Sequence, residues 1–257
     1  MTAGPQVFGF GLHEIAIVIL AMLLGGICKG IIGIALPLIG LTVMLLVLEP
    51  KLAVAMMVIP IVLTNVQLAF ATGLAGASEA LSRFWLLIAT AMVSIFAVSL
   101  YAARIPADVL LIVLGFVVVA FVLLNVSRWK PSIPPHRERL ASLVAGGAAG
   151  LVGGATSVYG PPLTMFLIAA GVPKHKWATS VGVVFGLSGV PLIAGYLFNG
   201  LMTPQIITVS TLACIPAYIG IETMAQCIAV HAGARARVRG FGPPLGFLLG
   251  TRLFSSS

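Results

Sequence analysis

Two apolar runs of 34 residues each, 15–48 and 140–173, constrain the fold of this chain more than any other feature. Each run is too long for one membrane crossing, because about 20 apolar residues span a hydrocarbon core of roughly 30 Å. Each is also interrupted near its centre by glycine and proline, which disfavour a continuous helix. We therefore predict that each run forms two short helices joined by an irregular turn, either as a re-entrant hairpin or as two crossings.

The composition indicates that most of the protein surface faces lipid. Of the 257 residues, 60% are hydrophobic and 8% are charged, whereas a soluble domain averages about 25% charged residues. We predict an all-α, polytopic membrane protein with about 8–10 membrane segments, since each shorter run fits a single crossing. Those shorter runs are residues 52–75, 84–103, 109–127, 177–198 and 204–221, with a weak one at 241–251 whose crossing is left open.

The two long runs resemble each other. The first has the pattern G-x-x-G at Gly30 and Gly33, then a proline, then Pro-Lys at its end. The second has G-x-x-G at Gly150 and Gly153, then two prolines, then Pro-Lys again. Three further runs follow in each half, so we predict two repeats joined by a polar linker. The N-terminal repeat, the linker and the C-terminal repeat are residues 1–130, 131–139 and 140–257.

The charges of the loops predict the topology, because lysine and arginine concentrate on the cytoplasmic side. If each long run crosses once, the two sides hold six and seven of these residues, which gives no orientation. If each run returns to its own side, the count becomes ten against three. We therefore predict hairpins, a cytoplasmic linker, and both termini in the periplasm of a bacterial inner membrane. Three simple crossings per repeat then make the repeats inverted, which is a transporter architecture.

Lys29 is the charge inside the first long run, and it predicts an anion site. A lone ammonium costs about 2.5–3.5 kcal/mol at a helix centre, and the acidic residues fall at the ends of runs or in loops. Each break starts a new helix, near Gly33–Leu36 and Gly160–Leu163, whose amides and dipole attract anions. We predict that the two breaks face each other and bind a small anion near the midplane. The alternative is that Lys29 extends to the membrane interface.

Uncharged polar residues complete the candidate substrate site. Hydroxyls and amides in membrane helices also bond neighbouring helices or their own backbone, and that alternative stays open. The predicted substrate-binding residues are Lys29, Gly30, Gly33, Asn65, Gln67, Ser157, Tyr159, Gly160 and Ser188. Three cysteines without disulfide or metal spacing indicate neither a disulfide framework nor a metal site, and no cofactor is predicted. The expected partners are a small anion and membrane lipid, without nucleic acid; a homodimer is left open.

Two motifs carry a resemblance to a known family. The stretch "GGICKGIIGIALPL" (25–38) resembles the N-terminal motif of the TauE/SafE family of sulfite and organosulfonate exporters. The stretch "GLVGGATSVYGPPLTMFLIAAGVPKHKWATS" (150–180) is similar to the second motif of that family, and Arg83-Phe84-Trp85 resembles the start of its next helix. The resemblance covers residues 12 to about 222. It implies export of sulfite or of a C2–C3 organosulfonate such as sulfoacetate.

The charge of the substrate predicts the direction of transport, and the residues at membrane depth bear on the alternative functions. An inside-negative potential drives a monovalent anion outward by about 2.3 kcal/mol per 100 mV, so its export needs no coupling ion. A proton-coupled transporter of a small carboxylate is the alternative, because a basic pocket does not distinguish carboxylate from sulfonate. An enzyme is not predicted, since no known catalytic motif or acidic metal cluster falls at membrane depth. A channel is disfavoured because no run has a continuous polar face.

Overall fold

Helices make up most of the structure, a computed structural model that describes residues 6–7, 10–34, 36–126 and 132–231. The predicted all-α fold class is confirmed. The helices are α1 Leu12–Ile32, α2 Leu36–Met44, α3 Pro50–Ala69, α4 Gly73–Ser99, α5 Ala107–Val126, α6 Glu138–Thr156, α7 Gly160–Ala169, α8 Lys174–Phe198, α9 Pro204–Leu212 and α10 Cys214–His231. Two-residue strands, β1 Gln6–Val7 and β2 Phe10–Gly11, form an antiparallel pair before α1. The weak run at 241–251 lies outside the described residues.

Several helices have the length and composition to cross a membrane. Within the described residues, five segments qualify: Leu12–Ile31, Pro50–Ala69, Gly73–Ser99, Lys174–Phe198 and Pro204–Cys227. The apolar helix α5 leaves large side chains exposed, among them Ile112 and Phe116, which is 73% exposed. An exposed apolar band of this kind is favourable in lipid and unfavourable in water.

The chain divides into two compact units. Unit 1 comprises Met1–Thr64 and Thr203–Ser257, and unit 2 comprises Asn65–Met202. Each unit therefore combines helices from both halves of the sequence. The predicted repeat boundaries describe sequence similarity, whereas these units describe packing, so the repeat boundaries stay a prediction.

In unit 1, α2 folds back along α1. A Cβ atom on Gly25 would lie 2.9 Å from the carbonyl oxygen of Leu36, and one on Gly40 would lie 3.5 Å from that of Ala21. Moving forward along α2 therefore means moving backward along α1, which makes the pair an antiparallel hairpin. Its glycines let the two backbones approach closely.

Unit 2 contains the corresponding hairpin of α6 and α7. The backbone N–H of Ile133, which precedes α6, donates to the carbonyl oxygen of Ala169 at the end of α7. The end of the second long run thus lies beside its beginning. This geometry is the one that the charge count of the sequence favours. The first helix of each hairpin is longer than predicted, because α1 and α6 begin in polar residues before the apolar runs.

The two hairpins share one register. Gly33 ends α1 with φ 88° and Ser157 ends α6 with φ 60°, and each donates its N–H to the carbonyl four residues earlier. Two helices of the second half begin 124 residues after their counterparts, α7 after α2 (Leu36 to Gly160) and α8 after α3 (Pro50 to Lys174). Gly33 therefore corresponds to Ser157. Pairing the two G-x-x-G patterns, as the sequence suggests, is out of register by four residues.

The third long helix, α4, is kinked. Phe84 has φ −105° and ψ 17°, which are not helical, so the helix consists of a segment before Phe84 and a segment after it. The predicted apolar run 84–103 begins at this kink. The first segment, 73–83, contains serine, glutamate and arginine, and residues 76–83 of it fall outside the predicted runs. The predicted run 52–75 ends early, because α3 stops at Ala69 and α4 begins at Gly73.

Candidate functional site

Lys29 lies deep inside unit 1. It occupies the last turn of α1, four residues before the break at Gly33, and only 4% of it is exposed. Among the residues whose burial the structure describes, Lys29 is the one charged residue in the buried class. Its ammonium donates a hydrogen bond of 2.9 Å to the hydroxyl of Thr64 on α3. The geometry thus favours an internal position over extension to the interface.

Thr64 is oriented to receive this bond. Its hydroxyl donates to the carbonyl oxygen of Pro60 at 2.6 Å, so an oxygen lone pair is left to accept from Lys29. A hydroxyl that already donates can act toward the ammonium only as an acceptor. Bonds to a charged group contribute about 1.5–3 kcal/mol each, roughly twice a neutral pair.

The position of α3 is itself fixed by Pro60. Proline has no N–H, so Pro60 cannot donate to the carbonyl of Met56 one turn earlier. The hydroxyl of Ser210 on α9 donates to that carbonyl instead, at 2.6 Å. Tyr218 on α10 also donates to α3, at the carbonyl of Leu63. Unit 1 therefore holds the Thr64 turn against two neighbouring helices.

The break beside Lys29 combines two helix ends. The C-terminal carbonyls of α1 favour the cation, and the N-terminal amides of α2 favour an anion. In the first turn of α2, Pro37 lacks an N–H, which leaves the amides of Leu36, Leu38 and Ile39. In the first turn of α7, two prolines leave fewer amides. The first break therefore offers more backbone amides to an anion than the second break does.

At the second break, hydroxyl groups serve mainly the backbone. Tyr196 donates to the carbonyl of Ala155 and also bonds the side chain of Ser157. Tyr159 donates to the carbonyl of Phe185 at 3.0 Å and packs edge-on against its ring. A helix that ends in the membrane leaves carbonyls that need donors. Tyr196 supplies such a donor to Ala155 in the last turn of α6, which is the structural role that the sequence left open.

A comparison with protein families decides the class of the protein. The model of the family described as "Sulfite exporter TauE/SafE" matches residues 18–252. The chain belongs to the TauE/SafE family. Searches of curated proteins and of solved structures returned no match. As predicted, the protein is an integral membrane protein and a transporter.

This TauE/SafE chain uses Gly30 for packing. A Cβ atom on Gly30 would lie 3.0 Å from the carbonyl oxygen of Ile221 on α10. Gly30 therefore faces a neighbouring helix, and the predicted role in substrate binding stays a prediction. The same contact places Glu222, which follows Ile221, near the turn of Lys29. From the sequence we expected Glu222 at the end of an apolar run, whereas it is a half-buried residue within α10.

Ser188 has a distinctive position in unit 2. It lies 124 residues after Thr64, so it is the counterpart of the hydroxyl that accepts from Lys29. Its side chain is buried, and its oxygen has no hydrogen-bond partner among the described residues; the same holds for Thr164 on α7. The counterpart of Lys29 is Gly153. The second half thus keeps the hydroxyl and lacks the amine.

The remaining predicted residues lie on α3 and at the start of α7. Asn65 follows Thr64 on α3 and is buried. It packs against Gly186 of α8, where an added Cβ atom would lie 3.7 Å from the Cβ atom of Asn65. Gln67 is half-buried on the same helix. Gly160 begins α7 beside the ring of Phe185. Unit 1 brings Lys29, Gly30 and Gly33 together, and unit 2 does so for Tyr159 and Gly160. That the two breaks face each other stays a prediction.

The sequence did not point to Thr64. A threonine in an apolar helix is common and donates to its own backbone, so it carries no signal alone. The register of 124 residues is a signal that identifies it, since Thr64 and Ser188 are then a matched hydroxyl pair.

Proposed function

We propose that this transporter exports a small sulfur-containing anion across the inner membrane, either sulfite or a C2–C3 organosulfonate such as sulfoacetate. The observation that carries the proposal is the buried Lys29 ammonium held by Thr64 beside the break between α1 and α2. Membership in a sulfite exporter family supports the class of substrate.

The chemistry of the site suits a compact oxyanion. The ammonium is a compact point charge, and it donates one hydrogen bond to Thr64 at 2.9 Å. A sulfonate or sulfite oxygen approaching the break can accept from Lys29 and from the amides that begin α2. Both interactions strengthen in a site of low dielectric constant. The buried charge is then compensated by the substrate while it is bound.

Counterflow in proteoliposomes tests the proposal. Liposomes loaded with unlabelled ethanesulfonate should accumulate labelled ethanesulfonate through the wild-type protein, and external sulfite should compete. Acetate should compete poorly. Lys29→Ala should lose counterflow while remaining inserted and monodisperse. Wild-type counterflow in Lys29→Ala, with preserved competition by sulfite, would show that the ammonium does not bind the substrate.

A proton-coupled carboxylate transporter is the second candidate, and Glu222 is the observation that favours it. Glu222 follows Ile221, whose backbone packs against Gly30, so the α10 backbone at Glu222 lies near the Lys29 turn. If this candidate is correct, acetate should exchange faster than ethanesulfonate, and Glu222→Gln should abolish acceleration by a pH gradient. Under the sulfur-anion proposal, Glu222→Gln should keep the substrate preference of the wild type.

A further inference from the structure

A charged cleft lies in unit 2, where the first segment of α4 meets the start of α8. Lys176 forms an ion pair with Glu79 across it, and both side chains are substantially exposed. Hydroxyl groups extend the polar lining: Thr72 and Thr179 bond each other at 2.8 Å, and Ser180 lies beside them. Lys29 belongs to unit 1 and takes no part in this cleft.

Arg83 is the second cation of the cleft. Its guanidinium donates to the carbonyl oxygen of Ala170 at 2.8 Å and lies 5.0 Å from the ring centre of Phe84. Phe84 is the residue at which α4 kinks, and its ring packs edge-on against Phe166 of α7. The kink therefore turns the Arg83 side chain toward the end of α7, where the hydrogen bond and the ring hold the guanidinium in place.

The charges of the cleft do not balance. Its lining contains two cations, Arg83 and Lys176, and one acid, Glu79. The net charge is therefore positive even with the ion pair closed. An exposed ion pair contributes little stability, typically below about 1 kcal/mol, so a competing anion can open it at small cost.

We propose that this cleft is an access site for the transported anion, in which the Glu79 carboxylate occupies the position of the substrate. A carboxylate and a sulfonate both present oxygen atoms with a delocalised negative charge. A sulfonate that displaces Glu79 gains the Lys176 ammonium, in a cleft that Thr179 and Ser180 also line. The class of ligand rests on the proposed function, whereas the existence of the site does not.

Intrinsic fluorescence can report this binding. Trp177 adjoins Lys176, and Trp85 lies two residues after Arg83 and is 61% exposed. The experiment uses the full chain carrying Trp129→Phe, in phosphatidylcholine nanodiscs at constant ionic strength. Sodium ethanesulfonate is the titrant.

We expect one variant to bind ethanesulfonate more tightly than the parent and another to bind it more weakly. Glu79→Gln removes the internal competitor and should lower the Kd for ethanesulfonate about two- to fivefold, as expected for loss of an exposed ion pair. Lys176→Gln should raise the Kd about two- to fivefold, because it removes the exposed ammonium that pairs with the sulfonate. Lys174→Gln is the matched control, because Lys174 lies two residues away and does not line the cleft; its Kd should equal that of the parent. Equal Kd values for Glu79→Gln, Lys176→Gln and the parent would overturn the access site.

The variant Lys29→Ala separates this proposal from the proposed function. It should lose transport and keep the fluorescence titration of the parent. If Lys29→Ala transports normally while Glu79→Gln still tightens binding, the proposed function is wrong and the access site stands. If transport requires Lys29 but ethanesulfonate leaves the fluorescence unchanged, the access site is wrong and the proposed function stands.

Discussion

At the scale of single residues, the structure explains how a membrane protein accommodates one buried ammonium. Lys29 could be found from the sequence because a charge inside an apolar run is costly and therefore informative. Thr64 could not, because only the fold shows that its hydroxyl donates to Pro60 and so accepts from Lys29. Ser157 and Tyr159 were predicted because they flank a break; in the structure Ser157 bonds the side chain of Tyr196, and Tyr159 donates to the carbonyl of Phe185.

Thr64→Val tests the hydroxyl directly. Valine keeps the shape and removes the acceptor, so the Lys29 ammonium loses a charged hydrogen bond of about 1.5–3 kcal/mol. We expect ethanesulfonate counterflow to fall about tenfold or more, measured at equal protein density. Thr64→Ser should retain most of the activity. Thr208→Val is the matched control, since Thr208 is exposed and donates only within α9. Unimpaired transport by Thr64→Val would separate Thr64 from the site.

At the scale of helices, glycine decides which helices can approach each other. The sequence predicted both breaks from glycine and proline, and α2 and α7 begin where the broken runs suggested. It did not predict the kink of α4, because Phe84 has no sequence signal for one and the geometry depends on packing against Phe166. Glycines within helices were equally ambiguous, since their neighbours are set by the fold.

Two glycines on α6 allow a test of the close packing between α4 and α6. A Cβ atom on Gly150 would overlap Ser94 of α4, whereas one on Gly147 would meet nothing within 4 Å. Gly150→Ala should therefore force α4 and α6 apart and lower the thermal unfolding temperature in detergent by several degrees. Gly147→Ala should leave the unfolding temperature unchanged or slightly higher, because alanine favours the helix. Equal stability of the two variants would contradict this packing.

At the scale of the whole molecule, the two hairpins could be predicted, whereas the packing partners could not, and the predicted total of about 8–10 membrane segments stays a prediction. Within unit 1, α1 packs against α10, and within unit 2, α6 packs against α4. The first helix of each predicted repeat thus packs against the third long segment of the other. Hydrophobic runs show which segments enter lipid but not which segments meet, so composition could not give the compact units.

The membrane orientation can be measured by labelling. In a cysteine-free background, Ser132→Cys lies in the predicted cytoplasmic linker, and Gln205→Cys lies at the exposed start of α9. A membrane-impermeant maleimide added to intact cells should label Gln205→Cys and spare Ser132→Cys until the cells are opened. Labelling of Ser132→Cys alone in intact cells would reverse the predicted topology.

Voltage dependence of export tests the central claim of an uncoupled anion transporter most directly. If ethanesulfonate crosses alone, each cycle moves one negative charge. A potassium diffusion potential, negative on the substrate side, should then shift the transport equilibrium tenfold per ~60 mV, because one charge is worth ~2.3 kcal/mol per 100 mV. Collapsing a pH gradient should change the flux little. Flux that follows the pH gradient and ignores the potential would contradict the account and would favour proton coupling through Glu222.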